Sequence, residues 1–360
     1  MNRLTSIEFC AGAGGQALGL EAAGFAHQLL VDNDPDCVRT LRLNRPQWRV
    51  EQADMRDVSV RAFRNVDLLA AGLPCPPFSV AGKQLGEKDD RNLFADSLRL
   101  IAEAEPKFVL IENVRGFLDP VFADYRTFLR RRFENLGYHV DWKLLQSSQF
   151  GVSQLRPRVA IVAAQERYWP HFSFPQPGGH VPPSVGVLLC DLMGENGWMH
   201  LEDWVQTASD IAPTIVGGSK KHGGPDLGPT RARKAWEKLG VNGSTIADAA
   251  PPPGFAGLPR LTSRMVARIQ GFPDTWAFHG RKTASYRQIG NAFPPPVARA
   301  LGMQIRSALA QAAGLEGNRR CAALQEFAAS GRFADGWWQR STGEPARPFP
   351  RQHRGHADIG

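Results

Sequence analysis

The chain is poor in cysteine. Its 360 residues carry five, at positions 10, 37, 75, 190 and 321. The odd count and the lack of any Cys-x-x-Cys pair argue against a disulfide framework and against a cysteine-pair zinc site. They fit a reducing compartment, with the cytoplasm as the default. Long apolar runs are missing as well. The opening stretch MNRLTSIEFCAGAGG has one Arg and a short apolar run that ends in glycines, unlike a secretory signal, and no later stretch has the length of a membrane-spanning helix. No segment repeats. What the chain has in quantity is glycine (36), proline (27) and basic charge, with a formal net charge of +8. The first two predict abundant loops. The third favours a polyanionic partner, although a basic solvated surface is the blander account.

Short apolar runs alternate with helical patterns through the first half. Strands are expected at 6–10, 27–32, 49–52, 66–71 and 108–112, and helices from about 17–23, 36–44, 91–104 and 125–136. The runs 140–146 and 158–163 read as two further strands able to pair. Such alternation predicts an α/β fold with a doubly wound, mainly parallel sheet. After Tyr168 the character changes. HFSFPQPGGHVPPS marks a boundary, and the pattern stays irregular to about Leu258. Helices return at 261–269 and, after three prolines, at 297–313. From Leu315 the periodicity is weak, in a tail that contains Trp337 and Trp338.

The first strand runs into A-G-A-G-G and then a helix. Glycines let the backbone turn tightly and approach a ligand, and the helix start favours negative charge. Asp34 follows the second strand, where a carboxylate can accept from ribose hydroxyls. Asp54 follows the third, where it can accept from an adenine amino group. For either aspartate alone, a helix cap or turn residue is the better reading. Together, in order on successive strand ends, they point to an adenosine-containing ligand. The turn lacks the G-x-G-x-x-G order, which favours S-adenosylmethionine over a dinucleotide.

Next comes DLLAAGLPCPPFSVAGKQ. A buried strand enters Gly72, and Pro74, Pro76 and Pro77 stiffen the loop around Cys75. A cysteine so placed, just past the carboxyl end of a strand, is held at the ligand-binding edge and fits poorly as a buried small hydrophobe. The strand FVLIENV closes on Glu112, a candidate acid beside that loop.

From residue 5 to about 310 the sequence resembles the cytosine-5 DNA methyltransferases. The residues that carry the likeness are IEFCAGAGG, GLPCPPFS, ENV, QLRPR (154–158), RLTSRMVARIQGFPD (260–274) and YRQIGNAFPPPVA (286–298), in the family's order and spacing. The resemblance implies the S-adenosylmethionine-dependent methyltransferase fold, with a mixed sheet and a smaller irregular target-recognition domain. It also implies covalent catalysis on a cytosine flipped out of duplex DNA. Cys75 would attack C6, Glu112 would hydrogen-bond N3 and the amino group of the ring, Arg158 would contact O2, and Arg156 would support Glu112 or the backbone. The cofactor set would be Cys10, Gly12, Gly14, Gly15, Asp34, Asp54, Met55, Gly72, Pro74 and Asn291, with Gly290 beside it. The polar segment 79–92 is similar to the family's mobile loop, so Ser79, Lys83 and Arg91 are candidate DNA contacts. Two positions depart from the pattern. Cys10 stands where a Phe is usual, so packing on the cofactor differs, and Glu8 replaces the commoner Asp.

The interval between QLRPR and RLTSR holds target recognition in this family. Within 215–240 six basic residues (Lys220, Lys221, Arg231, Arg233, Lys234, Lys238) face two acidic ones (Asp226, Glu237), a local charge of +4. Basic residues interleaved with glycines suit approach to phosphates and base edges, and Lys220, Lys221, Arg231 and Arg233 are the candidate groove contacts. Arg264 and Gln270 read as structural. The expected organisation is a catalytic and cofactor-binding domain over 1–172, a target-recognition domain over 173–283, a return to the first domain over 284–314, and a tail from 315 to 360. The resemblance further implies a monomer that methylates a short palindromic, GC-containing site, paired with a restriction endonuclease. Two rivals share these residues: an RNA cytosine-5 methyltransferase, opposed by the long basic variable region, and a silent DNA-binding regulator, opposed by the joint presence of Cys75, Glu112, Arg156 and Arg158. Amino-group methyltransferases use an Asp/Asn/Ser-Pro-Pro-Tyr/Phe motif, where this chain has a thiol.

Overall fold

The computed structural model describes residues 3–74, 93–179, 181–218 and 224–329, with 315–329 as backbone. Its strands are β1 (Leu4–Phe9), β2 (Phe25–Asp32), β3 (Val50–Gln52), β4 (Leu68–Gly72), β5 (Phe108–Val114), β6 (Tyr138–Gln146) and β7 (Pro157–Gln165). They form one seven-stranded sheet in the order β3-β2-β1-β4-β5-β7-β6. The first five are mutually parallel, and β7 runs antiparallel between β5 and β6. The order reverses beside β1, so the carboxyl ends of β1 and β4 flank a crevice of the kind where open α/β sheets bind ligands.

The central strands are apolar on both faces, with a period of two. Leu69, Ala71, Val109, Ile111, Val159 and Ile161 line one face. That face is covered by α3 (Phe94–Ala104) and α4 (Ala123–Asn135), through Leu98, Ile101, Leu129 and Phe133. Leu68, Ala70, Phe108, Leu110, Ala160 and Val162 line the other. There the cover is Leu20 of α1 (Gly15–Ala22) and the run Val297, Leu301, Ile305 and Leu309 of the long C-terminal helix (Pro295–Ala329). The helix expected over 297–313 is thus longer than its apolar stripe. The chain divides into two units, Met1–Ala312 and Ala313–Gly360.

Past β7 the described residues contain no further strand of this sheet. The stretch that reads as irregular holds α5 (Val185–Met193), α6 (Leu201–Thr207) and α7 (Thr230–Glu237), followed by α8 (Ser263–Ile269) and α9 (Lys282–Asn291). The longest of these has ten residues, and of them only α8 is expected from the sequence, at 261–269. Side-chain caps define the start of two: Ser184 accepts from Val187 N–H, and Thr262 accepts from Met265 N–H. Trp198, Trp204 and Trp236 are buried at the centre of this region, in a core that continues into Val38 and Leu41 of α2 (Pro35–Asn44). The helix now called α10 (Pro295–Ala329) follows directly.

Glycines set the spacing between α1 and α10. A Cβ on Gly19 would collide with the Pro295 carbonyl and the Ala298 methyl, and one on Gly302 would meet Ala23. The two helices therefore touch backbone to backbone. Gly19→Ala is expected to destabilise the fold by about 1–3 kcal/mol, as overpacking of a tight core does. Urea unfolding measures this, and an unchanged midpoint would contradict the close approach.

Candidate active site

At the carboxyl end of β1 the backbone enters left-handed territory three times within five residues, at Cys10 (φ 50), Gly12 (φ 55) and Gly14 (φ 85). This reverses the chain into α1. For Cys10 the conformation is strained, since a Cβ disfavours it. The turn is held by Asp32, the last residue of β2. Its carboxylate accepts the N–H of Gly12 and of Asp34, each at 2.8 Å. Asp34 in turn caps α2 by accepting from Asp36 N–H at 3.0 Å, and it pairs with Arg287 of α9 at 3.3 Å. Asp54 caps the 3-10 turn Met55–Asp57 and pairs with Arg56 at 2.7 Å. The capping role open to both aspartates is therefore what their side chains do.

The glycines of the turn divide by function. Around Gly12 a Cβ would meet no heavy atom within 4 Å, so the turn is open there. Gly14 abuts Leu41 and Trp276, and Gly15 abuts the Phe293 carbonyl. These two are small because the returning chain packs on them. Cys10 Sγ lies 3.7 Å from Met55 Sδ, with Met55 buried beneath it. Burial pushes the Cys10 thiol up, and the charges of Asp32, Asp54 and Glu8 push it further, so Cys10 stays protonated.

On the other side of the crevice, Gly72 of β4 pairs with Glu112 of β5. Pro74 is exposed two residues later. Cys75, Ser79, Lys83 and Arg91 lie outside the described residues, as do Lys220 and Lys221. Glu112 is buried, and Arg158 Nε contacts its Oε1 at 2.8 Å. The antiparallel course of β7 brings this about. Its starting end, with Arg158 opposite Val114, falls at the same edge as the carboxyl ends of the parallel strands.

Arg156 is fully buried and is turned to the backbone. Nη1 donates to the Ile215 carbonyl at 2.7 Å, and Nη2 donates to those of Gly290 (2.7 Å) and Ala292 (3.1 Å). Beside it, Gln154 Nε2 donates to Gln270 Oε1 at 2.7 Å, and its own carbonyl oxygen accepts from Ile215 N–H at 2.9 Å. Gln270 is structural, as expected, and Arg264 pairs with Asp274 at 3.5 Å. Asn291 donates to the Gly218 carbonyl at 3.1 Å, and Gly290 lies against the Gly217 backbone. The end of α9 thus grips the segment that leads to Lys220. Arg231 and Arg233 are exposed on α7, anchored by the buried Trp236. Asp32 and Arg287 were not among the residues singled out from the sequence. For Asp32 the signal was present in the Asp-x-Asp spacing at the end of β2, while Arg287 had no local one.

A model of the C-5 cytosine-specific DNA methylase family matches residues 4–307. The chain belongs to the C-5 cytosine-specific DNA methylase family. Its relatives include the type II methyltransferase M.NaeI of Lentzea aerocolonigenes, 54% identical over 315 residues, which are 86% of this chain and 76% of that protein. Another is the type II methyltransferase M.NgoMIV of Neisseria gonorrhoeae, 51% identical over 310 residues, 85% of this chain and 98% of that one. The fold is shared with the Spodoptera frugiperda DNMT2 structure (TM-score 0.59, 16% identity, 84% and 99% covered). It is also shared with the Entamoeba histolytica methyltransferase EhMeth (TM-score 0.60, 15% identity, 86% and 99% covered).

Two carboxyls of this DNA methylase are held above the ordinary range. Burial raises Glu112, outweighing Arg158 and Arg156. Burial also raises Glu8, helped by the charge of Asp32. The folded methylase therefore keeps protons that the unfolded chain releases. Stability from the neutral forms is complete below the ordinary carboxylate range and is lost as pH rises through the raised values. Glu112→Gln cannot ionise. Its unfolding free energy should keep a constant offset from the parent at low pH and gain on it as pH rises. Urea titrations across the pH range test this, and an offset independent of pH would contradict the raised carboxyl. Arg156→Met should cost about 3–5 kcal/mol, because the partners of a buried charge are left behind. The same unfolding measurement reads it, and a loss below about 1 kcal/mol would mean that the three carbonyls find other donors.

Proposed function

We propose that this methylase carries a methyl group from S-adenosylmethionine to C5 of a cytosine flipped out of a short, specific duplex DNA site, through a covalent bond between Cys75 and C6. One observation carries the reading: a buried carboxyl, pushed up by its burial and gripped by Arg158 at 2.8 Å, pairs on the sheet with Gly72, three residues before Cys75. Residues 1–172 with 284–314 act as the catalytic and cofactor-binding part. Residues 173–283 act as the target-recognition part, with Arg231 and Arg233 on α7 and with Lys220 and Lys221 among its DNA contacts.

The residues present suit S-adenosylmethionine. The turn is open at Gly12, Met55 supplies an apolar floor, and Asp32, Asp34 and Asp54 line the adjoining strand ends. When bound, that cofactor supplies an electrophilic methyl on a sulfonium. Everything else falls to the chain. C5 of cytosine is a poor nucleophile until a thiolate adds to C6 and turns the ring into an enamine. Glu112 is suited to this step, because burial raises its carboxyl above the ordinary range, which favours the protonated form that can donate to N3 as electron density moves into the ring. Arg158 holds that carboxyl and has further N–H groups for O2. After transfer, loss of the C5 proton re-forms the ring double bond and expels the Cys75 sulfur. Cys10, kept as a thiol, does not compete. Ser79, Lys83 and Arg91 serve the DNA.

The type II names of the relatives favour a place in restriction-modification, in which methylation protects host DNA from an endonuclease that cuts the same site. The chemistry is tested by trapping. Duplex DNA with 5-fluorocytosine at the target should form a stable protein–DNA adduct with the parent and none with Cys75→Ser, whose methyl transfer should fall to background. Transfer by Cys75→Ser at the parent's rate, or labelling of tRNA in preference to duplex DNA, would overturn the reading.

A further inference from the structure

Most arginines near the carboxyl edge of the sheet are already committed. Arg56 pairs with Asp54, Arg99 with Glu103, and Arg158 with Glu112. Arg156 is spent on three carbonyls, and Arg126 on those of Phe117 and Asp119. Arg115 is the exception. It is exposed, and no carboxylate pairs with it among the described residues.

Its mount is rigid. Arg115 opens the 3-10 turn Arg115–Leu118, directly after β5 and three residues beyond Glu112. Phe117 in that turn is fully buried, stacked on Phe94 at 6.0 Å and edge-on to Trp142 at 5.9 Å. Arg126 Nη1 pins the turn from α4 through the Phe117 carbonyl (2.6 Å) and the Asp119 carbonyl (3.0 Å). The register Val114↔Arg158 sets Arg115 one residue past the level of Arg158. Arg115 thus stands at the same edge of the sheet as Arg158 and Glu112, exposed and outside their ion pair. An exposed cation on a fixed base loses little freedom on meeting an anion. At this edge, the anion that accompanies a cytosine into the pocket is its own backbone phosphate.

We propose that Arg115 is a DNA-binding residue that contacts a phosphate adjoining the target cytosine. The assignment rests on the proposed reaction on duplex DNA. Contact with one phosphate contributes close to one unit of salt dependence, which makes it measurable by itself.

The test is duplex binding by the full chain across a salt series. Arg115→Ala should bind roughly three- to tenfold more weakly at low salt, with the slope of log K against log salt reduced by about 0.9. Arg115→Lys should recover most of the slope. Arg131→Ala, an exposed arginine on α4, serves as control and should leave it unchanged. A second measurement locates the contact. A neutral methylphosphonate at the phosphate on either side of the target should weaken the parent, and at one of the two positions it should weaken Arg115→Ala no further. An unchanged slope for Arg115→Ala, or additive losses at both positions, would overturn the assignment while leaving the proposed reaction in place. If the parent bound duplex DNA with no salt dependence, the reaction and this assignment would fall together.

Discussion

One buried guanidinium holds the arrangement together. Arg156 takes carbonyls from Ile215, Gly290 and Ala292, stretches that are far apart in the sequence. A carbonyl away from water needs a donor, and here a single side chain supplies three. The start of β7, the segment around Ile215 and the end of α9 are therefore fixed to one another. Arg158, two residues on, inherits that fixed position and can hold Glu112 in place. The carboxyl edge of the sheet and the segment that leads to Lys220 share one anchor.

The electrostatics of the crevice separate its acids and thiols by burial. Asp54 is mostly solvated and paired with Arg56, so its carboxyl is held below the usual range. Glu112 and Glu8, out of water, go the other way. The same logic silences Cys10, whose position beside three acids in a buried turn disfavours a thiolate. An arginine partner does not by itself ionise a carboxyl, since at Glu112 desolvation is the larger effect.

Strands were the legible part of the sequence. Apolar runs bounded by glycine and charge gave β1, β2, β4 and β5 to within two residues at each end, because a strand buried on both faces has nowhere to hide polar residues. Of the short helices of the second region only α8 was legible, since two turns seldom establish a period. α9 was obscured by Gly290, a poor helix former that is present because the Gly217 backbone lies against it. In the site, Glu112 and Arg158, both singled out in the sequence, lie in contact, while Cys75 lies outside the described residues. The backbone role of Arg156 was only one of two options, because its partners lie 59 to 136 residues away. Asp34 drew attention that belongs equally to Asp32, which holds the turn.

The sheet is finished by the far end of the chain. One face is closed by α3 and α4, which follow their strands promptly, but the other waits for α10. During synthesis the seven strands emerge well before Val297, so Leu68, Ala70, Leu110 and Val162 stay uncovered while the whole second region is made. Contacts so distant in sequence slow folding and leave apolar surface open to misassembly. The nascent chain therefore passes through a half-clad stage, and the glycines that let α1 and α10 touch are also what allows its last helix to seal it.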